Sequence, residues 1–327
     1  MLEREIQKSI LADFKRKQVI VLLGARQAGK TTLLLSLQSD KERVLSLNCD
    51  NIDDRLLLEA RTSTELKYLL SSYDMAFIDE AQRVKNIGLT LKMIGDLKLD
   101  TQIVVTGSSS FDMANEINES ATGRLIEYNL YPFSLAELAA DTSEREEKRL
   151  LENRLIYGLY PEVVTEPADA KRTLMSLTNN YLYKDLFSYK GLKKPDVIQK
   201  LVRALALQLG SEVSYNELSN LLGIDKETVE NYICLLEKCF VVFRLDSFSR
   251  NLRNEIKKGK KIYFYDNGIR NAVISNFAPL ELRTDAGALE FKWNAKAKSK
   301  QLKVFMESYL NSVYEIITPE NFWSFVR

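Results

Sequence analysis

The 327-residue sequence contains no histidine. That absence excludes a histidine general base, a serine–histidine or cysteine–histidine nucleophile pair, and histidine ligands for a metal ion. Any acid–base chemistry in this protein therefore falls to carboxylates, lysine, tyrosine or water.

Cysteine and long apolar runs are also scarce. Cys49, Cys234 and Cys239 form no C-x-x-C pair, and an odd, sparse count is typical of a reducing compartment. Apolar runs such as VIVLL fall far short of the roughly 18 residues that span a bilayer. The charged amino terminus MLEREIQKSI lacks the apolar core of a signal peptide. We therefore expect a cytoplasmic protein with no membrane segment.

An excess of charge of either sign is missing as well, with 46 basic residues against 45 acidic ones. The whole chain lacks the basic excess of a polyanion-binding protein, so a nucleic-acid site must come from local clustering. The length predicts two or three domains.

Apolar runs rich in β-branched residues alternate with helical patterns in the first 133 residues. Strands are predicted at QVIVLLG, RVLSLNCD, MAFIDEAQ and QIVVTGSSS, and helices at KTTLLLSLQS, TSTELKYLLSS and NIGLTLKMIGDLK. This alternation predicts an α/β fold with a parallel sheet. The first run is unbroken, as expected for a strand buried on both faces.

The first strand leads into GARQAGKT, which matches the phosphate-loop pattern G-x-x-x-x-G-K-[ST]. Backbone N–H groups of such a loop wrap phosphate, and the next helix presents its positive dipole end. The alternative, a glycine turn with an unrelated lysine, is disfavoured by the flanking strand and helix. Lys30 would bridge the β- and γ-phosphates, and Thr31 would ligate Mg²⁺. The predicted nucleotide contacts in this loop are Gly24, Ala25, Arg26, Gln27, Ala28, Gly29, Lys30, Thr31 and Thr32.

The run MAFIDE brings Asp79 and Glu80 to the end of an apolar strand. Ligands of open α/β sheets bind beyond the carboxyl ends of the strands. We expect Asp79 to hold Mg²⁺ and Glu80 to activate the attacking water, which favours hydrolysis over transfer to a substrate hydroxyl. A strand that ends in a solvated acidic turn is the alternative.

Further polar residues are candidates for the same site. Thr106, Ser108 and Ser109 end the next predicted strand and would sense the γ-phosphate, or else form a polar turn. Arg124 is a candidate positive charge for the transition state, with a surface ion pair as the alternative. Arg26 is a second candidate for that role, toward a neighbouring subunit. The guanine-selecting N-K-x-D motif is absent, so ATP is the expected nucleotide.

Three regions of different character follow this P-loop core. Residues 134–195 are mostly helical by pattern, with a break at GLYPEVV, where Pro161 cannot continue a helix. Residues 196–280 predict two helices joined by a short turn and then two strands, hence a winged-helix domain. Residues 281–327 are too few for an independent core of ordinary size.

The chain resembles prokaryotic AAA-like P-loop ATPases whose carboxyl-terminal half is a domain of unknown function. The resemblance implies nucleotide chemistry at Lys30, Thr31, Asp79 and Glu80, and it places the family's Gly-Arg dipeptide at Gly123 and Arg124. The family's cellular role is poorly defined. Its motifs run in the family's order over nearly the whole chain: LLGARQAGKTTLL, FIDEAQ, VVTGSSS, TGRLIEYNLYPFSLAEL, GLYPEVV, NNYLYKD, LQLGSEVSYNELSNLLGIDKETVENYICLLEK and KIYFYDNGIRNAV.

Residues 281–327 depart from that family, whose longer members carry a region resembling a restriction-nuclease core. In that core a carboxylate strand precedes an E-x-K strand. Glu290 and Lys292 match the E-x-K, yet Asp285 precedes Glu290 too closely for two paired strands unless the hairpin is very tight. We therefore expect a shortened nuclease-like tail without a two-carboxylate metal site.

The predicted winged helix gives opposed indications about DNA. Its recognition helix, 225–239, has four acidic residues against two lysines, a poor fit to a major groove. The wing, 250–261, has six basic residues against one glutamate and would contact backbone phosphate without reading sequence. A solvated loop on a protein-docking surface is the alternative.

Three functions thus remain open. The chain would be a Mg²⁺-dependent ATPase that couples nucleotide state to its winged-helix half, a slow nucleotide-gated switch, or an ATPase stimulated by DNA. The sequence identifies no protein partner and leaves an oligomer open.

Overall fold

A parallel sheet organises the amino-terminal half of the chain. It has five strands in a computed structural model that describes residues 2–38, 43–108, 123–183, 186, 194–245, 260–280 and 322–325. The strands are β1 (Val19–Gly24), β2 (Val44–Asn48), β3 (Met75–Asp79), β4 (Gln102–Ser108) and β5 (Leu125–Leu130). Their order is β2-β3-β4-β1-β5, and every neighbouring pair is parallel. The predicted α/β fold with a P-loop NTPase sheet is confirmed.

Helices cover both faces of this sheet. They are α1 (Glu5–Asp13), α2 (Lys30–Leu37), α3 (Ile52–Leu56), α4 (Ser63–Leu70) and α5 (Ile87–Leu97). Because side chains alternate along a strand, β1 contributes to two cores. Ile20 and Leu22 pack with α1 and α2, whereas Val19, Val21 and Leu23 pack with α4 and α5.

The region after β5 is helical, as predicted. It comprises α6 (Leu135–Asp141), α7 (Glu144–Arg149), α8 (Leu151–Tyr157), α9 (Pro161–Thr165) and α10 (Ala170–Ser176), which continues as a π-helical stretch over Leu177–Leu182. We call residues 134–182 the helical segment. Its chain breaks at GLYP, because Gly158 has a positive φ of 73° and Pro161 opens α9.

Helices α11 (Pro195–Leu207), α12 (Tyr215–Leu222) and α13 (Lys226–Lys238) begin the carboxyl-terminal half. In its described part, strands β6 (Glu212–Val213), β7 (Val242–Leu245) and β8 (Lys260–Phe264) form an antiparallel sheet with β8 in the middle. The predicted wing lies largely outside the described residues, so the winged-helix domain stays a prediction. The domain boundaries also stay predictions, and Asp285, Glu290 and Lys292 lie outside the described residues.

The two halves share one apolar core. The core on the α1–α2 face of the sheet continues from Ala25 and Ala28 to Val241 and Ile269. Tyr131 follows β5 and Tyr265 follows β8, and their rings stack with centroids 4.9 Å apart. Across the described ranges, no helix has both the length and the apolar character to cross a membrane.

A buried carboxylate joins the helical segment to the carboxyl-terminal half. Asp266 accepts hydrogen bonds from the Leu159 N–H at 2.7 Å and from the Ile269 N–H at 3.0 Å, where it caps α14 (Asn267–Val273). Burial raises the pKa of Asp266 to about 6, although these backbone bonds act to lower it. A Cβ on Gly158 would lie 2.2 Å from Asp266 Oδ1, so only glycine allows this approach.

Candidate functional site

The phosphate loop turns from the carboxyl end of β1 into α2. Gln27 and Gly29 have positive φ angles of 59° and 96°, so the loop wraps tightly before the helix begins. Gly24 is needed for another reason, since a Cβ there would lie 2.4 Å from the Leu130 carbonyl oxygen of β5. The partial positive charge of the α2 amino terminus faces this loop.

The Lys30 ammonium lies inside the loop. Its Nζ donates to the carbonyl oxygens of Gly24 at 2.9 Å and of Ala25 at 3.0 Å, and the residue is only 5% exposed. Its position is therefore fixed by the loop backbone.

A cleft of about 310 Å³ opens in front of the loop. It collects most of the predicted loop residues together with Glu80, because the carboxyl ends of parallel strands β1 and β3 meet at one edge of the sheet. Its lining residues are Arg26, Gln27, Gly29, Lys30, Thr31, Thr32, Asp50 and Glu80.

Thr31 and Asp79 form a fitting pair of Mg²⁺ ligands. The Thr31 hydroxyl donates to Asp79 Oδ2 at 2.9 Å. Two oxygens in adjacent positions of an octahedral Mg²⁺ are about 3.0 Å apart, given Mg–O bonds near 2.1 Å. In the described part of the chain, no cluster of three or more acidic or cysteine side chains could hold a metal. Two protein ligands would leave the other positions of an octahedral Mg²⁺ to phosphate and water.

Glu80 follows Asp79 in a strained conformation that turns its side chain at the edge of the sheet. Its φ of 53° and ψ of 40° lie in the left-handed region, a cost of about 1–3 kcal/mol that is common at functional sites. Its N–H donates to the Thr106 hydroxyl at 3.2 Å, and its carboxylate accepts from the Gln82 amide. Two neighbours therefore fix the orientation of Glu80.

The structure gives Thr106 a different contact from the predicted one. Thr106 is fully buried, and its hydroxyl donates to Asp79 Oδ1 while it accepts from the Glu80 N–H. It therefore positions the two carboxylates, and its contact with the γ-phosphate stays a prediction. Ser108 pairs with Gly24 in the sheet, while its side chain and Ser109 lie outside the described residues.

Arg124 lies at the wrong edge of the sheet for a role at the loop. Its carbonyl oxygen accepts from the N–H of Val19, the first residue of β1, at 3.1 Å. At about 3.3 Å per residue, β1 separates this point from Gly24 by roughly 17 Å. The guanidinium pairs with Asp96 of α5. The prediction that Arg124 supplies charge to the transition state is therefore wrong within one chain. The structure shows the alternative, a surface ion pair.

Arg26 lies between the loop and the carboxyl-terminal half. It lines the phosphate cleft. It also lines a small cavity of about 30 Å³ together with Tyr160, Phe240 and Asp266. Its role toward a neighbouring subunit stays a prediction.

Sequence reasoning missed Asp50. It follows β2, lines the cleft and accepts from Arg83 Nε at 3.2 Å. The rule that located Asp79, a polar residue just after an apolar strand, could have found Asp50 as well. Burial raises the pKa of the adjacent Cys49 thiol to about 12.

Two family models match the chain. Residues 16–139 match a family described as an AAA domain, and residues 148–280 match a domain of unknown function (DUF8612). The chain therefore contains an AAA-like P-loop domain followed by a domain of unknown function, which confirms the resemblance.

Two curated relatives and one solved structure illustrate the similarity. An uncharacterized protein of Haemophilus influenzae is 26% identical over 298 residues, which are 84% of this chain and 74% of that protein. Uncharacterized protein MJ1637 of Methanocaldococcus jannaschii is 26% identical over 317 residues, covering 84% of this chain and 65% of that protein. This chain thus spans about two thirds to three quarters of their length. The Walker-type ATPase PABY2304 of Pyrococcus abyssi shares the fold, with a TM-score of 0.55 at 16% identity over 84% of this chain and 96% of that chain.

Proposed function

We propose that this protein is a Mg²⁺-dependent ATPase that hydrolyses the γ-phosphate of ATP. The observation that carries the proposal is the 2.9 Å contact between the Thr31 hydroxyl and the Asp79 carboxylate, with Glu80 and Lys30 lining the same cleft. The match of residues 16–139 to an AAA domain supports it.

Four residues at the cleft have defined parts in this proposal. Lys30 and the loop N–H groups bind and orient the β- and γ-phosphates, while Thr31 and Asp79 hold the metal. Bound there, Mg²⁺ would supply positive charge that offsets the charge of the phosphates. Glu80 orients a water for in-line attack and accepts its proton.

The same proposal includes coupling between nucleotide state and the carboxyl-terminal half. Ala25 and Arg26 of the loop line one small cavity with Phe240 and Asp266 of that half. A change in the loop therefore reaches these residues through direct packing, without an intervening linker.

Turnover of ATP by matched variants tests the proposal. Glu80→Gln keeps the size of the side chain and removes the base, so we expect turnover to fall about 10²- to 10⁴-fold with nucleotide binding retained. Lys30→Ala should lose binding itself. Glu146→Gln is the control, because Glu146 forms only a surface ion pair with Arg149 in the helical segment. Unchanged turnover in Glu80→Gln would remove Glu80 from the mechanism.

A slow nucleotide-gated switch is the second candidate function. The packing of the loop against Phe240 and Asp266 favours it, because binding alone could then alter the carboxyl-terminal half. Tight ATP binding with negligible turnover, together with a nucleotide-dependent change in oligomeric state, would identify a switch.

Turnover measured with and without DNA tests the remaining prediction, DNA contact through residues 250–261.

A further inference from the structure

A buried arginine near the amino terminus contacts the back of the phosphate loop. Arg4 is 9% exposed, and its Nη1 donates to the Ala28 carbonyl oxygen at 3.0 Å. Its Nε donates to Glu137 Oε1 at 3.0 Å, and its Nη2 donates to the carbonyl oxygens of Tyr131 and Pro132. One guanidinium thus links the loop to the chain that leads from β5 into the helical segment.

The contact with Ala28 fixes the direction of the next N–H group. The described chain has no cis peptide bond, and in a planar trans peptide the carbonyl and the following N–H point in opposite directions. Because the Ala28 carbonyl points at Arg4, the Gly29 N–H points away from it. Gly29 lines the phosphate cleft and Arg4 does not, so we infer that this N–H is turned toward the cleft.

A flip of this peptide would damage a phosphate site. It would replace an N–H donor by a carbonyl oxygen at a position where the phosphate-loop pattern requires donors. It would also leave the buried guanidinium without one of its acceptors, a costly state for a charged group. Arg4 therefore opposes the flip.

The other end of the arginine is built into the start of the helical segment. Glu137 Oε2 accepts from the Ser134 N–H at 2.9 Å, which closes the capping box of α6, and Oε1 also accepts from the Glu5 N–H at 3.0 Å. The Phe133 ring lies beneath the guanidinium, 4.6 Å from its central carbon. The first turn of α6 and the phosphate loop are consequently held by one hydrogen-bonded unit.

We propose that Arg4 is a positioning residue for the phosphate cradle. It holds the Ala28–Gly29 peptide with its N–H toward the phosphates, and through Glu137 it makes that orientation depend on the position of the helical segment. The inference rests on the nucleotide binding proposed above and deepens it.

The test compares two buried arginine–glutamate pairs in the full chain. Arg4→Met removes the guanidinium and keeps most of the apolar stem. Arg154→Met is the matched control: Arg154 Nε pairs with Glu147 Oε2 at 2.9 Å, with exposures of 11% and 0%, within the helical segment. Thermal unfolding gives the stability of both variants, and ADP titration and ATP kinetics at a temperature where both are folded give nucleotide affinity, KM and kcat.

We expect Arg4→Met to weaken ADP binding and raise KM about 10- to 100-fold with a smaller change in kcat, as for loss of one oriented charge-assisted contact. Arg154→Met should lose comparable thermal stability at unchanged affinity. Arg4→Lys should recover part of the affinity, since an ammonium reaches one acceptor but not the whole planar set.

Equal ADP affinity in Arg4→Met and Arg154→Met would overturn the inference, while wild-type binding would still support the proposed function. Failure of the wild type to bind ADP or ATP would instead overturn both. If Arg4→Met does not fold, Glu137→Gln replaces it in the same measurements. This variant weakens the ion pair with Arg4 and retains the side-chain shape. It should raise KM in the same direction, and an unchanged KM would equally contradict the role of Arg4.

Discussion

At the scale of single residues, Thr106 sets the geometry of Asp79 and Glu80. One buried hydroxyl donates to Asp79 and accepts from the Glu80 N–H, so it fixes a metal-ligand candidate and a base candidate together. The other oxygen of Asp79 is left to Thr31, whose hydroxyl completes the metal-ligand pair.

Removal of the Thr106 hydroxyl should therefore weaken metal binding more than nucleotide binding. Thr106→Val keeps the shape, and we expect a Mg²⁺ requirement raised about tenfold, corresponding to about 1.4 kcal/mol from a lost buried hydrogen bond. Thr106→Ser should restore it. Thr101→Val is the control, because Thr101 is also buried, just before the opposite end of β4, and donates to the Leu70 carbonyl at 3.0 Å. Turnover across a Mg²⁺ series measures the effect, and matching curves for the two valine variants would contradict it.

At the scale of elements, the break between α8 and α9 is the place where the helical segment contacts the carboxyl-terminal half. The sequence predicts the break from the glycine and proline of GLYP alone. The structure adds that the chain turns there because Asp266, at the amino terminus of α14, comes against the Gly158 backbone. The helical segment is thereby fastened to the carboxyl-terminal half.

Substitution of Gly158 should loosen this junction. Gly158→Ala meets both a backbone region nearly restricted to glycine, φ 73° and ψ −162°, and the Asp266 carboxylate. We expect a loss of about 3 kcal/mol or more in the free energy of unfolding. Gly223→Ala provides the control, since its φ is also positive, at 64°, but its Cβ would enter open space. That variant should lose only about 1 kcal/mol. Urea unfolding measures both, and equal losses would show that the Asp266 contact is unimportant.

At the scale of the whole molecule, the phosphate loop is sandwiched between the sheet and the carboxyl-terminal half. Ala25 and Ala28 belong to the same buried core as Val241 and Ile269. Asp266 lies at this junction, lining the small cavity with Arg26. Stability of the junction should thus depend on the charge of that carboxylate.

The sign of this pH dependence follows from the raised pKa of Asp266, about 6 against an ordinary 3.8. The folded state binds the proton more tightly than the unfolded chain, so the stabilisation is fully present below pH 4 and is lost as pH rises through 6. Between pH 4 and 7.5 the unfolding free energy of wild type relative to Asp266→Asn should fall by about 2 kcal/mol. Urea unfolding at intervals across that range measures the difference.

The exposed helix cap Asp225 is the matched control. Hydrogen bonds from Thr228 lower its pKa, so its contribution is present above the ordinary pKa and is lost as pH falls through the lowered value. The wild type relative to Asp225→Asn should therefore show little change between pH 5 and 7.5. If the unfolding free energy of wild type relative to Asp266→Asn stayed constant from pH 4 to 7.5, the raised pKa of Asp266 would be contradicted.

Much of the sheet and the centre of the site could be predicted, because their determinants are local. The unbroken apolar run of β1 reflects burial on both faces, and the glycine spacing of the loop reflects its backbone conformation. The rule that ligands bind at the carboxyl ends of parallel strands then placed Asp79 and Glu80 beside the loop. These features need only periodicity, turn chemistry and one topological rule.

The sequence by itself therefore determined the fold class, the phosphate loop and the acidic pair. Only the tertiary structure decided that Thr106 holds that pair, that Arg124 lies at the far edge, and that Arg4 reaches the loop. The physical reason is that these contacts join residues far apart in the chain. Arg4 and Glu137 meet because β1 and β5 are neighbours whose ends share one edge, and no local pattern of either residue encodes that strand order.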